Sequence, residues 1–119
     1  MSQLVKVHTY KLKTNDTPIT LSITIGNDHS ATTNLFLDGR VLELSLEDSF
    51  DEKVIGSNKK LHNRQLIIST NTFDINPETN QVSFRYKIKG GPKVLYPASL
   101  KMPVDEKGIA NFTIQVIFV

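Results

Sequence analysis

Between Ile19 and Ile25, large aliphatic side chains alternate with hydroxyl side chains, and this period of two constrains the fold more than any other feature of the chain. Successive side chains of a strand point to opposite faces, so the four aliphatic residues share one face and the three hydroxyls share the other. The alternation returns between Phe112 and Phe118, where the second face also carries apolar residues. The pattern predicts an all-β protein whose strands are buried on at least one side.

The pair Asp38-Gly39 is the clearest turn signal in the sequence. These two residue types supply the positive φ angles of a type I′ hairpin turn, whose twist matches that of the flanking strands. The register that follows from a two-residue turn places Leu35 opposite Leu42. It also places the leucines of 42–46 together on one buried face.

Further turns are predicted at 76–80, where Pro77 suits a type I turn, and at Gly108, which suits a left-handed position in a hairpin loop. Further strand candidates lie between the turns, and Pro97 interrupts the last of them. They are Leu4–Leu12, Arg64–Ile75, Val82–Lys89 and Lys93–Leu100. Seven or eight strands with this spacing predict a single-domain antiparallel two-sheet β-sandwich spanning residues 1–119.

One segment departs from the period of two. Leu46, Phe50 and Val54 recur every four residues, and Ser45 could cap a helix with acidic residues in its first turn. The segment is therefore predicted to form either a short helix near 46–54 or an acidic loop.

Several chemistries find no support in the sequence. The chain has no cysteine, which excludes disulfides and thiolate zinc sites. The histidines His8, His29 and His62 are scattered, and neither a nucleophile elbow nor a glycine-rich phosphate loop is present. We therefore predict no catalytic residue, no metal site and no cofactor. The absence of a secretion signal and of a long apolar run predicts a cytoplasmic protein with no membrane span.

Charge is unevenly distributed along the chain. The stretch from 28 to 52 holds seven acidic residues and one basic residue, whereas residues 85–101 hold five basic residues and no acid. Arg85, Lys87 and Lys89 share one strand face, and Lys93 extends this basic stripe. Such a stripe could bind an acidic protein surface, or it could serve only to prevent aggregation of strand edges. Nucleic-acid binding is not expected, because no aromatic residues are interleaved on the basic face and the net charge of +2 is small.

These observations favour a non-catalytic protein-interaction or assembly module, which binds a protein partner or copies of itself. The first alternative is a module that binds a carbohydrate or another small ligand, with Tyr10, Phe36 and Tyr96 as candidate contact residues. The second alternative is a carboxylate-based hydrolase. It would use the acidic residues Glu47, Asp48, Asp51 and Glu52, which are better explained as an acidic solvated loop.

Overall fold

A computed structural model describes residues 2–26, 29–75 and 80–119, and these residues form two stacked β-sheets. The turn predicted at 76–80 lies almost entirely outside the described residues. The strands in the described part of the chain are β1 (Ser2–Tyr10), β2 (Pro18–Ile25), β3 (Ser30–Leu37), β4 (Arg40–Glu47), β5 (Phe50–Ser57), β6 (Gln65–Phe73), β7 (Gln81–Lys89), β8 (Leu100–Pro103) and β9 (Ile109–Phe118). A single helical turn, α1 (Asn58–Leu61), follows β5.

The five-stranded sheet has the order β1-β9-β6-β3-β4, and the four-stranded sheet has the order β5-β2-β7-β8. Neighbouring strands are antiparallel throughout, except that β1 pairs with β9 in parallel. The predicted all-β two-sheet sandwich is confirmed. Its nine described strands exceed the predicted seven or eight, because charged β5 and four-residue β8 lack a clear alternation.

The core lies between the two sheets, where their inner faces interdigitate. Leu21 and Ile23 of β2 are fully buried, as are Ile114 and Val116 of β9, so the faces predicted for these two strands are confirmed. At the centre, the rings of Phe84 and Phe112 stack across the sandwich with centroids 4.9 Å apart. Aromatic pairs at such a distance add specific packing to the area that they bury.

The β3–β4 hairpin follows its predicted turn but departs from its predicted register. Asp38 and Gly39 have φ of 51° and 78°, and Phe36 pairs with Val41 as expected. Leu35, however, pairs with Glu43 and not with Leu42, because β4 contains an extra residue at this point. A bulge turns the following side chains, so Leu44 is 52% exposed and the predicted row of buried leucines is wrong at that position.

No helix forms near 46–54, where one was predicted as an alternative to a loop. The segment instead completes β4, turns at residues 48 and 49, and begins β5. Asp48 adopts a positive φ of 55°, and its carboxylate accepts a hydrogen bond from Ala31 N at 3.0 Å. This hydrogen bond ties the turn to the start of β3 and stabilises a tight connection that carries the chain from one sheet to the other, in place of a helix.

The strand predicted over Lys93–Leu100 is reduced to one bridge between Leu95 and Ile88. The regular strand begins only at Leu100, after Pro97, because proline has no amide hydrogen to donate to a ladder. The irregular segment crosses the edge of the four-stranded sheet, and it brings Tyr96 over the outer side of β7.

A buried asparagine holds the loops at one end of the sandwich. The Asn58 side chain accepts a hydrogen bond from Lys13 N at 2.7 Å, and it donates to the carbonyls of Thr17 at 2.7 Å and Gly90 at 3.1 Å. Its buried polar atoms are therefore paired, as burial requires. The contacts fix the loop after β1 against the end of β7.

Candidate interaction surfaces

The outer face of the four-stranded sheet, which we call the charged face, is built by the alternation of β7. Phe84, Tyr86 and Ile88 are buried, so the basic residues between them point outward. Their neighbours on β2 are hydroxyl residues, with Arg85 opposite Thr24 and Lys87 opposite Ser22. The structure therefore places Arg85, Lys87 and Lys89 on one outer face.

Arg85, Lys87 and Tyr96 form a compact group on the charged face, which we call the Arg85 cluster. The guanidinium carbon of Arg85 lies 3.5 Å from the centroid of the Tyr96 ring, and its Nε donates to Pro97 O at 2.9 Å. The ammonium nitrogen of Lys87 lies 5.2 Å from the same centroid. Cation–π contacts of this kind are favourable at a surface. They hold Arg85 in one orientation beside a tyrosine that is 47% exposed.

Acidic residues of β5 lie two strands away on the same face. Glu52 forms an ion pair with Lys89, and Asp51 lines a shallow hollow together with Arg85 and Lys87. The end of the acid-rich stretch therefore lies in the same sheet as the basic stripe. Opposite charges that are neighbours in one molecule reduce the field that each presents to a distant partner.

The other acids of this stretch are distributed over the molecule. Asp38 pairs with Arg64 at 3.0 Å at the β3–β4 turn, and Glu43 pairs with Lys53 at 3.3 Å where the two sheets meet. Glu47 lies on the five-stranded sheet, opposite Thr32. The four acids named for a hydrolase are thus divided between the two sheets and the turn that joins them. The described geometry does not gather the four carboxylates into one site.

Lys93 lies apart from the other residues of the basic stripe, at a groove beside the end of β1. The groove has a volume of about 480 Å³ and is lined by Thr9, Tyr10, Lys11, Pro92, Lys93, Val94 and Leu95. Tyr10 lies at its base and is only 4% exposed. Its hydroxyl donates to Lys93 O at 2.6 Å and accepts from Gly91 N at 3.0 Å, and burial raises the pKa of this phenol.

The three aromatic residues predicted to contact a ligand are not brought together. Tyr10 packs edge-on against Phe118 inside the sandwich. Phe36 lies on the outer side of the five-stranded sheet, since Leu35 beside it points into the core. Tyr96 lies on the charged face, on the opposite side of the molecule. A platform that stacks a sugar on all three rings is therefore not formed.

The outer face of the five-stranded sheet, which we call the uncharged face, carries no ionisable side chain on β1, β9, β6 or β3. Its residues, four or five from each strand, are Gln3, Val5, Val7, Thr9, Ile109, Asn111, Thr113, Gln115, Ile117, Gln65, Ile67, Ser69, Asn71, Phe73, Ser30, Thr32, Asn34 and Phe36. At the chain-wide charged fraction of 22%, about four of these residues would be charged. Outer strand faces are where charged residues normally concentrate, so their absence here is a specific feature.

Cross-strand rows give the uncharged face a banded pattern. One row crosses all five strands and contains Val7, Gln115, Ile67, Phe36 and Val41. The next two rows toward the start of β1 contain mainly hydroxyl and amide side chains, and the second of them ends at Glu47 on the edge strand β4. The two ends of the apolar row are open to solvent, with Val7 58% and Val41 60% exposed.

The amide and hydroxyl groups of the uncharged face bond to one another. Asn111 Nδ2 donates to Asn71 Oδ1 at 2.8 Å, and Thr113 Oγ1 donates to Asn111 Oδ1 at 2.6 Å. Farther along the same strands, Gln115 Nε2 donates to Gln65 Oε1 at 2.7 Å. These side-chain hydrogen bonds satisfy part of the polar groups of the face without water.

Sequence reasoning identified the basic stripe but overlooked the uncharged face. Its signal is present in the sequence, because the residues between the core positions of β9 are Asn111, Thr113, Gln115 and Ile117, none of which is charged. The extent of the face depends on β1 and β6 lying beside β9 and on β3 lying beside β6. That strand order is a long-range property that local patterns do not contain.

The histidines and acids do not form a metal site in the described part of the chain, where no group of three or more His, Cys, Asp or Glu side chains converges. His8 contacts the Tyr86 hydroxyl at the sandwich rim, and His29 is buried with its Nε2 3.0 Å from Gln81 O. Among the described helices, none is long and apolar enough to cross a membrane.

Comparison with known proteins gives no match, whether the chain is compared with protein-family models, with curated proteins or with solved structures.

Proposed function

We propose that this protein is a non-catalytic interaction module that binds an acidic segment of a partner protein through its charged face. The observation that carries the proposal is the Arg85 cluster, in which an arginine is stacked on an exposed tyrosine with a lysine beside it. Arginine and tyrosine are enriched among the residues that dominate binding energy at protein interfaces.

The geometry of the cluster favours binding because its orientation is set before a partner arrives. Stacking on Tyr96 and the hydrogen bond to Pro97 O restrict the Arg85 side chain, so less conformational entropy is lost on binding. Lys101 of β8 lies opposite Ser83 in the same sheet and extends the positive charge beyond the cluster. Asp51 lines the same hollow and lowers its positive potential, which favours partners with several acids over partners with one.

Recovery of partners from the source cell tests this function. The parent protein and a Lys87→Glu/Tyr96→Ala variant are used as bait, and bound proteins are quantified by mass spectrometry. We expect the variant to lose acidic partners by tenfold or more, and raising the salt to about 0.5 M to weaken the parent's binding, because exposed charge pairs are screened.

Lys107→Glu is the matched control, because it makes the same charge change at an exposed position in the β8–β9 turn. It should retain the partners of the parent. Identical partner lists for parent and cluster variant would refute the proposal and leave the basic stripe with a role only against aggregation.

A second candidate function is the binding of a small amphipathic anion in the groove beside Tyr10. We propose it because the groove has the volume of a small-molecule site and is lined by apolar residues together with Lys11 and Lys93.

The probe is 8-anilinonaphthalene-1-sulfonate, whose fluorescence rises in apolar surroundings. We expect Val94→Glu to abolish the signal and Val54→Glu to retain it, since these valines are 58% and 59% exposed and only Val94 lines the groove. Equal signals from both variants would refute this candidate.

A further inference from the structure

We infer that the uncharged face binds a second copy of this chain, face to face across a two-fold axis. The inference is independent of the partner proposed for the charged face, because it rests on the other side of the sandwich. Its basis is the absence of ionisable side chains across four adjacent strands, on a surface where about four would be expected.

Strand faces without charged residues can pack against their own copies without like-charge repulsion. In a two-fold interface the same patch is present on both partners, and residues close to the axis meet their own copies. A charged residue there would meet a like charge and weaken the complex. On the charged face, Arg85 and Lys87 would meet the same positive residues wherever the axis passed close to them, whereas β1, β9, β6 and β3 bring no like charges together.

Several polar groups of the uncharged face already have hydrogen-bond partners within one copy of the chain. Desolvating a hydroxyl or an amide is costly unless it is hydrogen-bonded. The contacts between Asn111, Asn71 and Thr113 supply such bonds within one copy. The apolar row ending at Val7 and Val41 then supplies area whose burial is favourable.

The size of the face suits a second copy. Four strands spaced at about 4.8 Å, each about nine residues long at about 3.3 Å per residue, give a footprint of roughly 19 by 30 Å. The accessible area of such a pleated surface exceeds its flat projection. It therefore approaches the ~800 Å² that each partner contributes to a stable interface.

Association through strand edges is opposed, which leaves the sheet face as the route to self-association. Lys6 of β1 and Lys53 of β5 occupy inward-pointing positions of edge strands, and inward charge is an established barrier to edge pairing. Bulges at Ser45 and Glu52, both with positive φ, distort the edges of β4 and β5. The remaining edge strand, β8, has four residues and ends in Pro103.

Sedimentation equilibrium over a range of concentrations tests this inference. The test variant is Val7→Lys/Val41→Lys, which puts a charge at each end of the apolar row. When the two-fold axis runs along the row, or crosses its centre at a right angle, the row ends meet themselves or each other, so lysines face lysines in both arrangements. The control is Val54→Lys/Val94→Lys, which makes the same change at valines of 59% and 58% exposure outside the uncharged face.

We expect the parent to dimerise, the test variant to show a dissociation constant at least tenfold higher, and the control to stay within twofold of the parent. Dimerisation should persist at about 0.5 M salt, which screens charge pairs but not apolar contacts. It should also persist in Lys87→Glu, so failure of this inference is distinguishable from failure of the proposed function.

A parent that remains monomeric at about 1 mM, where even weak specific contacts form, would overturn the inference. So would equal weakening by the test and control variants. Circular dichroism establishes that each variant is folded, and Val5→Lys, at a residue 55% exposed on the same face, replaces the double variant if that variant unfolds.

Discussion

His8 and Tyr86 meet where the inner side of β1 approaches β7. Burial raises the pKa of Tyr86 to about 12, so the phenol keeps its proton and can donate a hydrogen bond to an unprotonated Nε2 of neutral His8. Burial, together with the positive charge of Lys6, lowers the pKa of His8 below its ordinary value of 6.5. Desolvation and a neighbouring positive charge both disfavour the charged imidazole, so the fold favours the neutral form.

The stability of the protein is therefore expected to fall as the pH is lowered through about 6.5. The His8 contribution is fully present above 6.5, where the imidazole is neutral in both states. Below that pH the unfolded chain takes up a proton before the folded chain does, and the loss is complete once the pH is below the folded pKa.

The free energy of unfolding, measured in urea between pH 5 and about 8, checks this prediction. His8→Gln retains an acceptor for the Tyr86 hydroxyl but does not titrate. It should therefore show a shallower decline at low pH than the parent does. Parallel curves for the two proteins would contradict the assignment.

Among the elements of the fold, the turn after β7 depends on two adjacent glycines. Gly90 has φ of 115°, and a Cβ atom added there would collide with the carbonyl oxygen of Pro18. A Cβ on Gly91 would lie 2.9 Å from the Tyr10 hydroxyl. The turn thus packs backbone directly against the start of β2 and the end of β1, and Asn58 holds it in place.

We expect Gly90→Ala to destabilise the protein much more than Gly39→Ala does. Both glycines have positive φ, but a Cβ on Gly39 meets no atom within 4 Å. The control should therefore lose about 1–2 kcal/mol from backbone strain alone. Gly90→Ala adds a collision with backbone and should lose roughly 3 kcal/mol or more. Urea denaturation measures both values, and equal losses would show that Gly90 is not closely packed.

The elements that sequence could predict are those whose local pattern decides the outcome. In β2 and β9 the apolar residues recur at every second position of the sequence, and these same residues form the buried face in the structure. The bulges of β4 and β5 escaped prediction because they depend on a neighbouring strand. Asn34 Oδ1 accepts from Ser45 N at 2.8 Å, and Ser22 Oγ accepts from Glu52 N at 2.9 Å. Neither partner is near its bulge in the sequence.

At the scale of the whole molecule, the same limit applies to the candidate sites. The alternation in β7 correctly placed Arg85, Lys87 and Lys89 on one face. The sequence could not show that β2 alone separates β7 from β5, which brings Glu52 into contact with Lys89. The contact between Tyr96 and Arg85 was not predicted for a similar reason, because Tyr96 reaches Arg85 from a segment without regular structure.

The separation of charged and uncharged residues onto opposite outer faces has a consequence for valency. A dimer that stacks its uncharged faces would contain four sheets spaced about 10 Å apart, with its two Arg85 clusters on outer sheets about 30 Å from each other. The clusters would point in opposite directions, so both could not bind one flat surface. Such a dimer would instead bridge two partner molecules, and bridging declines when either component is in excess. The abundance of this chain relative to its partner would then determine whether the partner is cross-linked or only coated.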